Sequence, residues 1–329
     1  MKMNDLVAAF PSQLQKATEI AKAQVLLPAK SEIHHVFISG LGGSGIGGTI
    51  ARELVEKDCK VPILTNKDYF APSFINRHTL CIICSYSGNT EETVSVLEKV
   101  LEKDAHVVCI TSGGKIAEMA KEHHLSLVLI PPGMPPRSCI GYSMVQILEV
   151  LSRYSLTQSS LPDIEKGMQL LVSEQMQIRK TAAEIAGKLM GKMPVIYSLG
   201  NTEGISVRFR QQINENSKVL CWHHVIPEMN HNELVGWTTP NHDLFVLVWR
   251  YPFDYSRSIK RLEICREVFA KYTPHYLELS VKGNTPVECA LYAIHLGDWI
   301  SCELADLRGV DAMDIQVIDH LKSTLEKVS

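Results

Sequence analysis

The sequence predicts an α/β protein built of two αβα units, each a mostly parallel sheet flanked by helices. Three observations predict it. Runs that are apolar nearly throughout, such as Leu80-Cys81-Ile82-Ile83-Cys84, alternate with amphipathic helical patterns, and strands apolar on both faces belong to parallel sheets covered on both sides. The alternation runs once through residues 1–153 and again, more loosely, through 154–329, which sets the two domains. At 329 residues, 45% hydrophobic and 21% charged, the chain has the length and composition of two ordinary globular domains.

Taken in order, residues 4–27 read as one amphipathic helix, followed by a strand at 35–39. That strand runs into Gly40-Leu41-Gly42-Gly43-Ser44-Gly45-Ile46-Gly47-Gly48, a glycine turn leading to a helix that ends near Glu56. Gly40, Gly42 and Gly45 match G-x-G-x-x-G, so a dinucleotide site must be weighed. Such a site wants an acidic residue ending the next strand, to hold the ribose. Here the strand at 61–65 ends in Thr65-Asn66-Lys67, with Asp68 too late. NAD binding is therefore the lesser reading. Ser44 is expected to add a hydroxyl to a phosphate site, with Gly43 and Gly45 bringing backbone close to the sugar.

The third strand, at 80–84, stops abruptly at Ser85-Tyr86-Ser87-Gly88-Asn89-Thr90-Glu91-Glu92-Thr93. Val94, Val96, Leu97, Val100 and Leu101 then recur at helical spacing. The first amides of a helix have no internal partner and carry the positive end of its dipole, so they attract an anion. Ser85, Ser87 and Thr90 surround them with hydroxyl donors, and Gly88 lets backbone approach. A helix N-cap would also use Ser, Thr or Asn. One cap needs one such residue, and this turn supplies several, which favours a phosphate monoester.

Strands at 106–111 and 125–130 complete the first sheet. Ligands of such sheets sit beyond the carboxyl ends of the strands, where both turns lie. Pro131-Pro132-Gly133-Met134-Pro135-Pro136-Arg137-Ser138 follows, a loop too proline-rich for helix that delivers Arg137 to the same edge. A solvated surface arginine and a fixed cation at the site weigh about equally on this placement. A closing helix at 141–153, a polar linker at 155–162 and a long helix at 163–191 lead to the second domain. Its strands are expected at 194–199, 219–223, 244–249 and 275–281, and its last helices at 285–307 and 314–327.

Two clusters in the second domain carry chemistry. The helix from Thr202 ends in Arg208-Phe209-Arg210-Gln211-Gln212-Ile213-Asn214-Glu215-Asn216, where Arg208, Gln211 or Gln212, and Glu215 fall at helical spacing on one polar face. A carboxylate at a helix C-terminus opposes the dipole, a poor choice for stability and a good one for a general base. Most glutamates are nevertheless solvated surface charges. Trp222-His223-His224-Val225-Ile226-Pro227-Glu228-Met229-Asn230-His231-Asn232-Glu233 holds three histidines and two carboxylates, which raises zinc. The H-E-x-x-H spacing is missing and adjacent strand residues face opposite ways, so no metal is expected. His231 falls on a short helix opened by Pro227, where a lone histidine is more often structural than catalytic.

Bulk properties exclude several classes. A net charge of −3 gives no general attraction to nucleic acid or anionic membrane. No apolar window reaches membrane-spanning length, and Met1-Lys2-Met3-Asn4-Asp5 lacks a signal-peptide core, so a cytoplasmic location is expected. Nine scattered cysteines suggest buried free thiols. Cys81 and Cys84 form a C-x-x-C inside a strand, where their odd spacing sends them to opposite faces.

Together, Gly-Gly-Ser-Gly-Ile-Gly-Gly (42–48), Ser-Tyr-Ser-Gly-Asn-Thr-Glu-Glu-Thr (85–93), Pro-Pro-Arg (135–137), Asn-Glu-Asn-Ser-Lys (214–218) and Pro-Glu-Met-Asn-His-Asn-Glu (227–233) occur in an order that resembles the bifunctional phosphoglucose/phosphomannose isomerases, which are built of two sugar-isomerase (SIS) domains. The resemblance implies interconversion of glucose 6-phosphate and mannose 6-phosphate with fructose 6-phosphate, without metal or cofactor. It implies that Ser44, Ser85, Ser87 and Thr90 hold the phosphate and that Glu215 moves a proton between C1 and C2 through an enediolate. Arg137 would stabilise that intermediate, and His231, from the neighbouring subunit of a homodimer, would help open the ring with Lys322. The family usually has an arginine where this chain has Lys67, which keeps the charge and loses the planar fork. An amino-sugar-phosphate isomerase would use the same phosphate site, but the sequence shows no amidotransferase segment. A non-catalytic sugar-phosphate sensor would need the cradle and not Glu215 or Arg137.

Overall fold

In the computed structural model, residues 2–325 and 327 are described. The chain forms two compact units. One comprises Ala9–Val172 with Gly283–Leu291; the other holds Ser173–Lys282 with the segments before Ala9 and after Leu291.

The helix expected over 4–27 is two helices, α1 (Met3–Ala8) and α2 (Phe10–Ala23). Pro11 lies in the first turn of α2, where its missing N–H costs no hydrogen bond. It therefore starts a new helix rather than continuing the old one, and the backbone is extended at Gln24. There follow β1 (His35–Ser39), α3 (Gly42–Val55), β2 (Ile63–Asn66), β3 (Thr79–Ser85), α4 (Glu91–Leu101), β4 (His106–Thr111), α5 (Gly114–Glu122), β5 (Ser126–Leu129) and α6 (Ile140–Arg153). The five strands are parallel, in the order β2-β1-β3-β4-β5. Strand alternation divides the core. Phe37, Cys81, Ile83 and Cys109 pack with Val96, Leu97, Ile116 and Ala120 of α4 and α5, while Ile38 of β1 points to α3. Cys81 belongs to the α4–α5 face and Cys84 does not. Both are buried free thiols, and burial raises each, Cys84 to about 12.

The glycine turn expected after β1 is helical from Gly42 onward. Its glycines serve close packing: a Cβ on Gly47 would lie 2.4 Å from Ser143 Oγ of α6, and one on Gly48 2.8 Å from Ile38 Cγ2 of β1. Helix α3 is thus pressed between the sheet and α6 nearer than any larger residue permits.

Next in the chain come α7 (Leu161–Leu189), β6 (Met193–Leu199), α8 (Glu203–Gln212), a π-helical turn (Ile213–Ser217) and β7 (Trp222–Ile226). Two 3-10 turns (Glu228–His231 and Glu233–Gly236) precede β8 (Leu244–Arg250), α9 (Ser256–Phe269), β9 (Tyr276–Ser280), α10 (Pro286–Arg308) and α11 (Gln316–Leu325). These four strands are also parallel, ordered β7-β6-β8-β9. One face packs Tyr197, Val248 and Trp237 on Leu262, Cys265 and Phe269 of α9. On the other, Trp249 meets Phe209 of α8 edge-on, with ring centroids 5.4 Å apart. The strand expected at 219–223 begins three residues later, because Val219 is used to close the π-helical turn: its N–H reaches Ile213 O and its carbonyl accepts from Asn214 Nδ2. Among the described residues no helix is long and apolar enough to cross a membrane.

Candidate active site

In the first sheet the chain passes from β1 to β2 on one side and later to β3 on the other. The strand order thus reverses at β1 and β3, and ligands of doubly wound sheets bind beyond the carboxyl ends of the strands at such a point. The N-termini of α3 and α4 both lie at this edge, one following each strand. Neither helix has a side-chain cap: Leu41 precedes α3, and Thr90, at the N-cap of α4, makes no capping hydrogen bond. Thr90 Oγ1 instead lies 2.9 Å from Ser85 Oγ, which accepts from Gly88 N at 3.2 Å. Ser87 Oγ accepts from Asn89 N at 3.2 Å. Ser44 Oγ accepts from Tyr86 N at 3.0 Å, so the hydroxyl from the first turn is tied to the backbone of the second. The structure thus brings Ser44, Ser85, Ser87 and Thr90 together. Gly88 has φ +72°, and a Cβ there would lie 1.8 Å from Gly113 O. No other residue fits that corner of the turn.

The loop after β5 reaches the same place. A Cβ on Gly43 would lie 2.4 Å from Pro136 O and 3.3 Å from Arg137 N, so the proline-rich loop rests directly on the first turn of α3. This loop contains a 3-10 turn, Pro136–Ser138. It is held by Tyr86, whose hydroxyl donates to Pro131 O at 2.8 Å and accepts from Met134 N at 3.2 Å. Gln13 fixes its far end, donating to Ser138 O at 2.7 Å and accepting from Gly141 N at 2.9 Å. Arg137 is only 5% exposed, which removes the reading as a solvated surface arginine. The space beside Gly45 is taken by Gly40 O, and Lys67 Cε would lie 3.7 Å from a Cβ there. Lys67 thereby runs along the first turn of α3.

Glu215, His231 and Lys322 belong to the second unit. Glu215 is half-buried in the middle of the π-helical turn. Of the face expected from Arg208, Gln211 or Gln212, and Glu215, Arg208 and Gln212 are buried while Gln211 and Glu215 are half-buried. Asn216 continues the buried row at four-residue steps, and the π-helical turn that carries Glu215 is wider than an α-helical one. His231 ends the first 3-10 turn and is exposed. Its neighbours are fixed: Asn230 Nδ2 donates to Cys265 Sγ at 2.9 Å, and Asn232 Nδ2 to Glu228 Oε1 at 2.9 Å. Lys322 is exposed on α11, a helix with no buried residue. The other histidines have separate partners. His223 Nε2 lies 3.5 Å from Glu203 Oε1, and its imidazole is held below the usual histidine range by burial and by the Arg210 guanidinium. The His224 ring accepts from Val225 N. Among the described residues no three His, Cys, Asp or Glu side chains cluster as a metal-holding group.

Two family models match the chain. Residues 31–133 match the SIS domain, and 178–325 the bacterial phospho-glucose isomerase C-terminal SIS domain. A bifunctional phosphoglucose/phosphomannose isomerase of Caldicellulosiruptor bescii is 35% identical over 99% of this chain and 99% of its own. The enzyme of the same description from Aquifex aeolicus is 34% identical over 89% of this chain and 90% of its own. The chain belongs to the bifunctional phosphoglucose/phosphomannose isomerase family. The fold agrees: the C-terminal domain of glucosamine-fructose-6-phosphate aminotransferase from Francisella tularensis superposes with a TM-score of 0.75 at 15% identity, covering 94% of this chain and 96% of that one.

For a member of this isomerase family, the supports of the site were harder to read than its motifs. Tyr86 and Gln13 fasten the Arg137 loop across long sequence separations that no local pattern marks. Asp298 is different: it is the only acid between Glu288 and Glu303 in the apolar stretch of α10, and a lone carboxylate there signals a buried partner.

Proposed function

We propose that this protein interconverts glucose 6-phosphate and mannose 6-phosphate with fructose 6-phosphate through an enediolate, with no metal or cofactor. The observation that carries the reading is the carboxyl edge of β1 and β3, where two helix N-termini without side-chain caps meet the hydroxyls of Ser44, Ser85, Ser87 and Thr90. Such a cradle suits a phosphate monoester, which the backbone amides and helix dipoles attract and the neutral hydroxyls hold without trapping. Lys67, alongside α3, adds charge to the same anion. The relatives' names supply the reaction class, and full-length similarity at 35% supports its transfer.

Each role follows from the chemistry of the step. Ser44, Ser85, Ser87 and Thr90 hold the phosphate, with backbone at Gly43 and Gly45 beside the sugar. Glu215 removes the proton at C2 of an aldose, or C1 of the ketose, and returns it to the neighbouring carbon. Arg137 stabilises the negative charge that develops in the enediolate; a cation already fixed there needs no reorganisation during the step. His231, supplied by the second copy of the chain in a homodimer, assists ring opening with Lys322. The protein acts in the cytoplasm. The test is turnover of each of the three hexose 6-phosphates in a chelator-containing buffer. Interconversion of all three is expected; activity lost to the chelator and restored by zinc contradicts the metal-free mechanism.

A further inference from the structure

Four hydrogen bonds tie the segment carrying Glu215 to helix α10. Arg208 Nη2 donates to Asp298 Oδ2 at 2.6 Å, and Gln212 Nε2 to Asp298 Oδ1 at 3.0 Å. One turn further on, Asn216 Nδ2 donates to Ser301 Oγ at 3.0 Å and Ser217 Oγ to Ser301 O at 2.7 Å. Ser301 Oγ in turn donates to Asp298 O at 2.7 Å, joining the two anchors. All these side chains are at most 5% exposed. Burial raises the Asp298 carboxyl, and the Arg208 guanidinium and the Gln212 amide oppose that shift.

Such an arrangement is a costly way merely to pack two helices. A buried ion pair is seldom more stabilising than apolar residues of equal volume, and its best-attested use is to specify one register. Here the register matters because the segment is not regular. A π-helical turn is rare and persists where local packing selects it. This one closes on Lys218, whose N–H bonds Ile213 O and whose backbone is left-handed at φ 57°. Lys218 Nζ also donates to Glu215 O and to Asp314 O. The residues flanking Glu215 at 212, 214, 216, 217 and 218 all carry such bonds, so the turn presents this one carboxylate from a frame fixed on both sides.

We propose that Asp298 and Ser301 of α10 are positioning residues for Glu215: through Gln212, Asn216 and Ser217 they hold the π-helical turn and so set where its carboxylate stands, without touching substrate. This rests on the reading of Glu215 as the proton-transferring base. Gln212→Leu, Ser301→Ala and their double variant each remove hydrogen-bonding groups and no charge. With rates normalised to folded protein, kcat for fructose 6-phosphate is expected to fall about tenfold in each single variant and about a hundredfold in the double, the scale of a sub-ångström to ångström misplacement. KM should stay within about twofold, because the phosphate-holding residues are untouched. A purely structural role would lower the melting temperature and leave kcat per folded molecule unchanged. A kcat within about twofold of wild type in the folded variants therefore overturns the proposal. If the double variant does not fold, the single variants are judged by the same criterion. Glu215→Gln, run in parallel, separates the two readings. If it is inactive while the positioning variants turn over normally, only the positioning role falls; if it retains wild-type kcat, Glu215 is not the base and both fall.

Discussion

Thr90 stands at the N-cap of α4 and does not cap it. Its hydroxyl lies against that of Ser85, and the hydroxyls of Ser44 and Ser87 accept from backbone amides of the same turn, which leaves their own protons to donate. Ser87 is the exposed member of the set. Ser87→Ala should raise KM about tenfold to a hundredfold with little change in kcat, the worth of one hydrogen bond to a charged group. An effect confined to kcat in steady-state assays counts against its phosphate role. The clustering of these hydroxyls was legible because their excess over one cap is a local signal. The burial of Arg208 was not: its partner Asp298 lies ninety residues away in sequence, where no local pattern marks the pairing.

His295 carries a different residue-scale prediction. It is buried on α10, and its Nε2 accepts from Trp299 Nε1 at 3.2 Å, which requires the neutral ring. Burial lowers its pKa to about 4. The folded protein thus binds fewer protons here than the unfolded chain does. Its contribution to stability is complete above pH 6.5 and is lost as pH falls from 6.5 toward 4, by at most about 3 kcal/mol. Denaturant titrations of wild type and His295→Gln should diverge over that window, with the variant losing less stability; parallel curves would contradict the assignment.

At the scale of elements, α3 and the turn before α4 were placed by sequence, while the form each takes was not. The glycine-rich stretch reads as a loop because glycine disfavours helix. Close packing against β1 and α6 overrides that preference, and nothing local announces it. The π-helical turn was invisible for a similar reason, since its hydrogen bonds run to α10 and to Val219. The turn at Gly88 is the better test of element geometry. Gly88→Ala places a methyl 1.8 Å from Gly113 O at φ +72°, and should cost about 2–5 kcal/mol in unfolding free energy. Phosphate-ester affinity should weaken with it. An unchanged denaturation midpoint would mean that the turn is not built as described.

At the scale of the molecule, alternating apolar runs and helices were enough to predict two parallel αβα sheets, because strands covered on both faces leave an unmistakable pattern. The ordered motifs named the family. Assembly is the whole-molecule property on which the proposed mechanism depends. If His231 comes from the second copy, mixing Glu215→Gln with His231→Gln subunits re-creates one intact site in each mixed dimer. Activity should then recover to about a quarter of wild type after subunit exchange, as two-fold symmetry dictates. No recovery, despite mixed dimers seen by mass spectrometry, would place both groups in one chain's site.

The most direct test of the central claim follows fructose 6-phosphate by proton NMR with wild-type protein and Glu215→Gln, each shown by calorimetry to bind the sugar phosphate. The wild type is expected to produce both glucose 6-phosphate and mannose 6-phosphate, and the variant to bind nearly as tightly while turning over about a hundredfold to ten-thousandfold more slowly. Aldose formation at the wild-type rate by Glu215→Gln, or none by the wild type, would contradict it.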